Sequence, residues 1–345
     1  MFKIGKKNIN NNEPAFVIAE IAQAHDGSLG YAHAFIDIAR RSGADAVKFQ
    51  MHYPEYESTV DEKFRVKLSS QYKNRFEYWK RMEFSKEQWL ELKKHCDQLN
   101  IEFMVSVFSK YAVNLAKEIG LNNIKISSGE IFNDPLVDEI CKRFENIIFS
   151  TGMLKAEKIY EKIKFFHKQK RNIAVLHCIS KYPVTNAELS LDFINVLKKT
   201  DKNFLIGYSD HSGSIAPPIY ALSQRINILE VHLALDKDQY GPDTGSSLVA
   251  EELKFICKLN KDFSEIHNPK KKRDEIIESI SNKHLFMSSL CLTNDKKKGE
   301  VIKEKDLVLK KPGTGIPYSK KKSIIGRKLT KNVSKKKLLR YDDFS

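Results

Sequence analysis

Polar side chains gather just after short apolar runs in this sequence, and their types suit one kind of chemistry. Glu20, Lys48 with Gln50, Ser106 with Ser109, and Lys125 with Ser128 and Glu130 each follow or close such a run. So do Ser150, His177 with Ser180 and Tyr182, Ser209 with Asp210 and His211, and Glu230 with His232. Two lysines and a set of hydroxyls are what a phosphate and a carboxylate need from a protein. Carboxylates beside them supply acid–base groups. His211 and His232 could hold one divalent metal ion through neutral imidazoles, with Glu230 assisting directly or through water. Each residue also has a structural alternative. Glu20 could cap a helix or pair with a lysine, and Lys48 and Lys125 could be ion-pair partners or Schiff-base amines of an aldolase. The serines could cap helices. Asp210 could cap the following helix or orient His211. His177 could be a satisfied interior imidazole.

The elements that must position these groups show one rhythm over residues 15–260. Runs rich in Val, Ile and Phe at 15–20, 44–50, 101–107, 123–128, 146–151, 173–178, 203–209 and 227–232 alternate with amphipathic patterns. The helical patterns are 31–42, 87–99, 110–119, 134–143, 155–169, 192–200, 215–225 and 246–260. Near-continuous apolar strands suit a parallel sheet covered on both faces. Eight βα units in about 250 residues predict a (β/α)8 TIM barrel, whose catalytic groups collect at the C-terminal ends of the strands. The first turn, Ala24-His25-Asp26-Gly27-Ser28, lacks the Gly-rich fingerprint of a doubly wound dinucleotide-binding sheet. A 35-residue connection at 52–86 is rich in aromatics, which predicts an ordered functional loop.

Composition bounds the rest. The chain has 345 residues, 41% hydrophobic and 10% aromatic, enough for a sizeable core. No apolar run is long enough to span a membrane, and the polar N-terminus carries no apolar leader. Five scattered cysteines fit reduced thiols in the cytoplasm. The net charge is +15, and residues 261–345 hold 23 Lys/Arg against 11 Asp/Glu. Such a quarter could bind nucleic acid, but it has few aromatics to interleave with its lysines, and a solvated surface is the simpler reading. The expected organisation is a barrel over 1–262, a linker over 263–283 and a small β-rich domain over 284–345. That domain would contain strand-like runs LFMSSLCL, VIKEKDLVLK and SIIGRKL. At about 60 residues it would need to dock on something.

The chain resembles the sialic acid synthase family, the NeuB-like N-acetylneuraminate synthases. The motifs in order are AEIAQAHDGS (19–28), GADAVKFQ (43–50), KISSGE (125–130), STGM (150–153), HCISKYP (177–183), GYSDHSG (207–213), LEVH (229–232), GPD (241–243), KKGE (297–300), KKPGTGI (310–316) and IIGRKL (324–329). The resemblance implies a TIM barrel followed by an antifreeze-like (SAF, β-clip) domain, in a homodimer whose SAF domains are swapped. It implies condensation of phosphoenolpyruvate (PEP) with N-acetylmannosamine, with C–O cleavage and phosphate release. A legionaminic- or pseudaminic-type acid made from another N-acetylated sugar is the alternative. Neither nucleic acid nor membrane is implied as a partner. By the same resemblance, Glu20, Lys48, Lys125 and Glu130 would be catalytic. Lys48, Ser106, Lys125, Ser128, Ser150 and Ser180 would bind PEP. Gln50, Glu130, Tyr182, Asp243 and, from the partner's SAF domain, Lys311 would meet the sugar. His211 and His232, with Glu230 through water, would hold a divalent metal, Mn2+ first, with Mg2+ or Co2+ as alternatives. Two positions depart from the family pattern: Lys311 and Ser180 stand where Arg and Asn are usual.

Overall fold

The structure, a computed structural model, describes residues 2–66, 71–200 and 203–345. Its contacts divide the chain into two compact units, Met1–Asn268 and Pro269–Ser345.

The first unit is a closed parallel barrel. Its strands are β1 (Phe16–Ala22), β2 (Ala46–Met51), β3 (Glu102–Val107), β4 (Asn123–Ile126), β5 (Asn146–Ser150), β6 (Asn172–His177), β7 (Leu205–Asp210) and β8 (Ile228–Leu233). Each pairs in parallel with the next, and β8 pairs back onto β1, with His232 beside Glu20. The outer helices are α1 (Leu29–Ser42), α2 (Lys86–Leu99), α3 (Lys110–Glu118), α4 (Asp134–Arg143), α5 (Ala156–Lys168), α6 (Phe193–Thr200), α7 (Ala216–Ser223) and α8 (Ala250–His267). Ser28, Ser85, Ser109 and Asn133 accept the first-turn amides of α1 to α4, which is how short polar side chains start helices. Ser109 is therefore a cap, one of the two readings open to the serines. No helix among the described residues is long and apolar enough to cross a membrane.

Side chains alternate along a strand, so every second residue enters the barrel. The alternation sorts the interior into layers. Ile18, Ala46, Met104, Ile148, Ala174, Leu176 and Ile228 form an apolar lower layer. Phe2, Ile4 and Ile9 join this cluster. Ile4 lies in, and Phe2 and Ile9 flank, a two-stranded hairpin, Lys3–Ile4 with Lys7–Asn8, which the sequence pattern did not indicate. Two residues further along the strands come Glu20, Lys48, Ser106, Lys125, Ser150, Cys178, Ser209 and Glu230. Hydrophobic residues of the opposite parity, such as Val47, Val105 and Ile147, pack with the helices in the main core.

The long connection after β2 is ordered where it is described; residues 67–70 lie outside the described chain. It contains helices Pro54–Glu57 and Arg75–Met82 and a small core of Tyr78, Trp79 and Met82, with Phe64 and Tyr72 against it. The expected linker is redrawn: residues 263–267 continue α8, while Arg273–Glu278 and Lys283–Phe286 are short helices.

The second unit has a core of Leu290, Leu292, Ile302, Ile316, Ile324, Leu329, Val333, Leu339 and Phe344. Strands β9 (Ser289–Leu292) and β10 (Leu307–Lys310) pair antiparallel. The expected strand SIIGRKL is instead a helical turn, Lys321–Ile324, followed by single bridges at Lys328 and Leu329. Ile324 and Leu329 both face the core. Two apolar anchors five residues apart fit a turn as well as a strand, so the pattern alone could not separate them.

Gly207 occupies an inward position of β7, where a Cβ would lie 2.3 Å from Leu176 Cδ2 and 2.5 Å from the Ile228 carbonyl oxygen. Gly207→Ala is expected to destabilise the protein by about 1–3 kcal/mol through overpacking. Gly129→Ala, with open space at its Cβ, should stay within about 0.5 kcal/mol of the parent. Urea unfolding of both variants measures the difference.

Candidate active site

Strand register brings the charged residues together. β1 pairs Glu20 with Lys48 on β2, and β3 pairs Ser106 with Gln50 on one side and Lys125 on the other. A bulge between Glu20 and Ala22, with Ala22 at φ 47°, ends the regular pairing of β1. Such bulges re-aim side chains at barrel rims.

The result is a buried ionic quartet. Lys48 Nζ lies 2.5 Å from Glu20 Oε2 and 3.7 Å from Glu230 Oε1, and donates to Ser106 Oγ at 2.8 Å. Lys125 Nζ donates to both oxygens of Glu230, at 3.0 and 3.2 Å. Ser209 also donates to Glu230, and Gln50 donates to Glu20 at 3.0 Å. All four charged residues are at most 3% exposed. Burial works against each charge, and the partners decide the outcome. For Lys48, Glu20 and Glu230 outweigh burial and hold the ammonium above its usual range. For Lys125, burial wins, assisted by repulsion from Lys48, and the ammonium is pushed down. Burial would raise Glu230, but Lys125 and Lys48 bring it down to about 2.

Hydroxyls line the next part of the rim. Ser128 Oγ accepts from the Gly152 amide at 3.1 Å and lies 3.3 Å from Cys178 Sγ. A Cβ at Gly152 would lie within 3 Å of Ser180 Oγ, Cys178 Sγ and Ser128 Oγ. Ser150 Oγ and Ser180 Oγ are buried without a protein partner. Glycine here thus leaves a cradle edged by the Ser128 and Ser180 hydroxyls and the Cys178 thiol, with the Gly152 amide given to Ser128, so the hydroxyl of Ser180 is the donor still available to an oxyanion.

His211 and His232 stand with ring centroids 5.4 Å apart. His211 Nδ1 donates to the Ile179 carbonyl at 2.8 Å. A carbonyl only accepts, so the Nε2 lone pair is left to face the site, where it lies 3.1 Å from the Tyr182 hydroxyl. Burial and His232 push His211 down to about 3, so the imidazole is neutral at ordinary pH. His211 and His232 are the residues here that could hold a metal ion as direct ligands. Glu230 does not complete the set directly, because its carboxylate is committed to the lysines. Among the described residues, no three His, Cys, Asp or Glu side chains converge as a metal cluster.

The same geometry bears on three structural alternatives. His177 points outward and donates from Nε2 to the Leu189 carbonyl at 2.8 Å, as an interior imidazole does. Asp210 accepts from the Ser212 amide and hydroxyl and from the Tyr208 hydroxyl, so it shapes the turn after β7. The Lys48 and Lys125 amines are engaged with carboxylates in this state.

Above the quartet lies a cavity of about 390 Å3. Gln50, Glu130, Ser128, Ser180, Tyr182, His232 and Asp243 line it, as do several residues of the insert. Burial pushes Glu130 up. Part of the Tyr182 ring is exposed, but enclosure of its phenolic end, with Asp243 nearby, keeps the hydroxyl protonated. His52 is stacked between Trp79 and Phe108, at centroid distances of 3.8 and 4.2 Å, and its nitrogens meet Glu57 and Gln50. The sequence reading missed His52, Glu57 and Arg65 because the insert has no periodicity; its aromatic density was the only signal. Lys311 lies in the second unit, 5.9 Å from the Phe286 ring centroid.

A closed barrel that gathers paired lysines, hydroxyls and two histidines at its C-terminal rim defines the class of this protein: a (β/α)8 barrel with a polar site at the strand ends. A profile of the NeuB family matches residues 35–272, and the chain belongs to that family. It is 32% identical to the N,N'-diacetyllegionaminic acid synthase of Campylobacter jejuni, over 94% of this chain and 98% of that protein. It is 32% identical to the N-acetylneuraminate-9-phosphate synthase of Drosophila melanogaster, over 71% of this chain and 66% of that one. The crystal structure of the N-acetylneuraminic acid synthetase of Leptospira borgpetersenii, in complex with citrate, matches with a TM-score of 0.72 at 30% identity. It covers 83% of this chain and 97% of that one.

The quartet yields a stability test. Glu230→Gln leaves two buried ammonium groups sharing one carboxylate, and breaking a buried pair costs about 3–5 kcal/mol. Because the folded pKa of Glu230 is lowered, its contribution is complete above the ordinary carboxylate range near 4.5 and is lost as pH falls through about 2. Urea midpoints of parent and variant should therefore differ most at neutral pH and converge on acidification across that window.

Proposed function

We propose that this protein is a nonulosonate synthase that condenses PEP with the open-chain aldehyde of an N-acetylated hexosamine. The observation that carries the proposal is the pairing of Lys48 and Lys125 beside the Gly152 cradle, in a member of the NeuB family. Lys48, Lys125 and the hydroxyls of Ser106, Ser128, Ser150 and Ser180 receive the phosphate and carboxylate of PEP. Gln50, Glu130, Tyr182 and Asp243, on the cavity wall, receive the sugar.

PEP C3 forms a bond to the aldehyde carbon, whose oxygen takes up a proton. Water adds to C2, and Glu20 accepts its proton. The bond between C2 and the bridging phosphate oxygen then breaks; that oxygen leaves with the phosphorus and takes up the proton of the C2 hydroxyl, giving inorganic phosphate and a 2-keto acid, while the proton held by Glu20 balances the one taken up by the aldehyde oxygen. Glu20 is held for this role by Lys48 and Gln50, with its carboxylate fixed in the barrel interior.

Formally the quartet carries two positive and two negative charges, so it offers PEP no net attraction of its own. A divalent metal ion held by His211 and His232, Mn2+ first, would add positive charge and act as a Lewis acid on the aldehyde oxygen. The neutral tautomer of His211 is what such ligation needs. The homodimer, and contact of Lys311 from the partner's second unit with the N-acyl group, belong to the same proposal, as does a cytoplasmic setting.

The acceptor is N-acetylmannosamine on the motif reading. A second reading, a 6-deoxy diacetamido sugar leading to legionaminic-type acids, is favoured by near full-length similarity to the Campylobacter jejuni protein. Phosphate release from PEP, followed across both sugars with and without Mn2+, distinguishes them. Sugar-dependent release is expected; none with any N-acetylated hexosamine would overturn the proposal. Glu20→Gln should lower kcat about a hundredfold or more, general-base contributions running from about 10² to 10⁴, with little change in PEP affinity. His211→Ala should abolish metal stimulation of turnover. Lys311→Arg should alter the ratio of kcat/KM between the two sugars more than the KM for PEP.

A further inference from the structure

The insert sends one side chain against the wall expected to hold the sugar. Arg65 Nη2 donates to Asp243 Oδ1 at 2.5 Å and to the Pro242 carbonyl at 3.2 Å. Its guanidinium carbon lies 4.4 Å from the Tyr182 ring centroid. Arg65, Tyr182 and Asp243 all line the same cavity. Tyr182 has two neighbours of opposite kind: its hydroxyl meets His211 Nε2 at 3.1 Å, and its ring face carries Arg65.

We propose that Arg65 is a specificity-determining residue that reads the end of the acceptor sugar remote from its aldehyde. This rests on the reading of the site given above. The reacting carbon must lie near the quartet and the imidazoles. Tyr182 stands between those imidazoles and Arg65, so an acceptor that runs along Tyr182 brings its far substituents to the guanidinium. Arg65 spends its Nη2 on Asp243 and Pro242, and the guanidinium carries further N–H donors on Nε and Nη1. Asp243 neutralises the charge locally. The pair is therefore suited to a neutral acceptor oxygen, such as a second amide carbonyl, more than to a phosphate. Lys at this position would keep the charge but lose the planar fork that meets Asp243 and the sugar together.

The test uses the full-length protein with Arg65→Ala and Arg65→Lys. Arg65 is partly exposed, at 36% of its side chain, so neither change empties the core. Phosphate release gives kcat and both KM values for N-acetylmannosamine and for 2,4-diacetamido-2,4,6-trideoxymannose. Calorimetry in the presence of PEP gives binding of the same two sugars. Loss of a charge-assisted contact predicts a rise of about tenfold to a hundredfold in sugar KM for Arg65→Ala. The rise should be larger for the diacetamido sugar, with the KM for PEP changed less than about twofold, and Arg65→Lys should recover only part of the loss. Unchanged sugar kcat/KM in an active Arg65→Ala variant would overturn the role of Arg65 and leave the synthase reading standing. Sugar binding weakened by Arg65→Ala, in a parent protein that releases no phosphate, would keep the contact and overturn the reaction. Neither binding nor release in the parent would overturn both.

Discussion

The interior of the barrel depends on an arrangement that is costly in isolation. Two ammonium groups and two carboxylates lie at most 3% exposed, each facing a group of opposite charge. Well-packed apolar residues in their place would often be neutral or stabilising. The quartet therefore constrains everything around it. β8 must close onto β1 in register so that Glu230 can reach Lys125 across the barrel. Ser106, Ser209 and Gln50 must satisfy the remaining lone pairs and protons. The same constraint accounts for the layer beneath: an apolar floor, with Phe2, Ile4 and Ile9 in it, keeps the low-dielectric side of the charges free of competing polar groups.

Much of this arrangement was legible in the sequence, because two simple periods were at work. Apolar runs separated by amphipathic stretches marked all eight strands, and parallel pairing then forced the polar strand ends onto one rim. Period-two alternation also separates residues that look alike in a motif. In His177-Cys178, the cysteine enters the barrel beside Ser128 while the histidine turns to the Leu189 carbonyl. Partnership was less legible. Glu230 and His232 are two residues apart and seemed to share one task, yet Glu230 is held by a lysine 105 positions away. That pairing follows from barrel closure, which no local pattern encodes.

Segments without periodicity concealed the rest. The insert after β2 announced order through its aromatics but not what that order is for. Its small core of Tyr78, Trp79 and Met82 supports the segment that carries Arg65, and Trp79 fixes His52 by stacking. The N-terminal hairpin has strands of two residues, too short to alternate visibly. In the second unit, Ile324 and Leu329 were read as a strand because both are apolar, whereas a helical turn and single bridges bury them equally well.

One electrostatic design recurs in the barrel interior and on the cavity wall. In the interior floor beneath the cavity, each lysine is already countered by a carboxylate; at the wall, Arg65 is already countered by Asp243. A site built this way does not attract anions through net charge. It discriminates by geometry, because a ligand must offer oxygens where the hydrogen-bond capacity of a paired cation is still unspent. At the floor that capacity is joined by the hydroxyls around Gly152, which suits the several oxygens of a phosphate. At the wall it belongs to one guanidinium packed on one ring, which suits a single carbonyl. Long-range attraction is missing from both, so selection there rests on where oxygens can be placed rather than on charge.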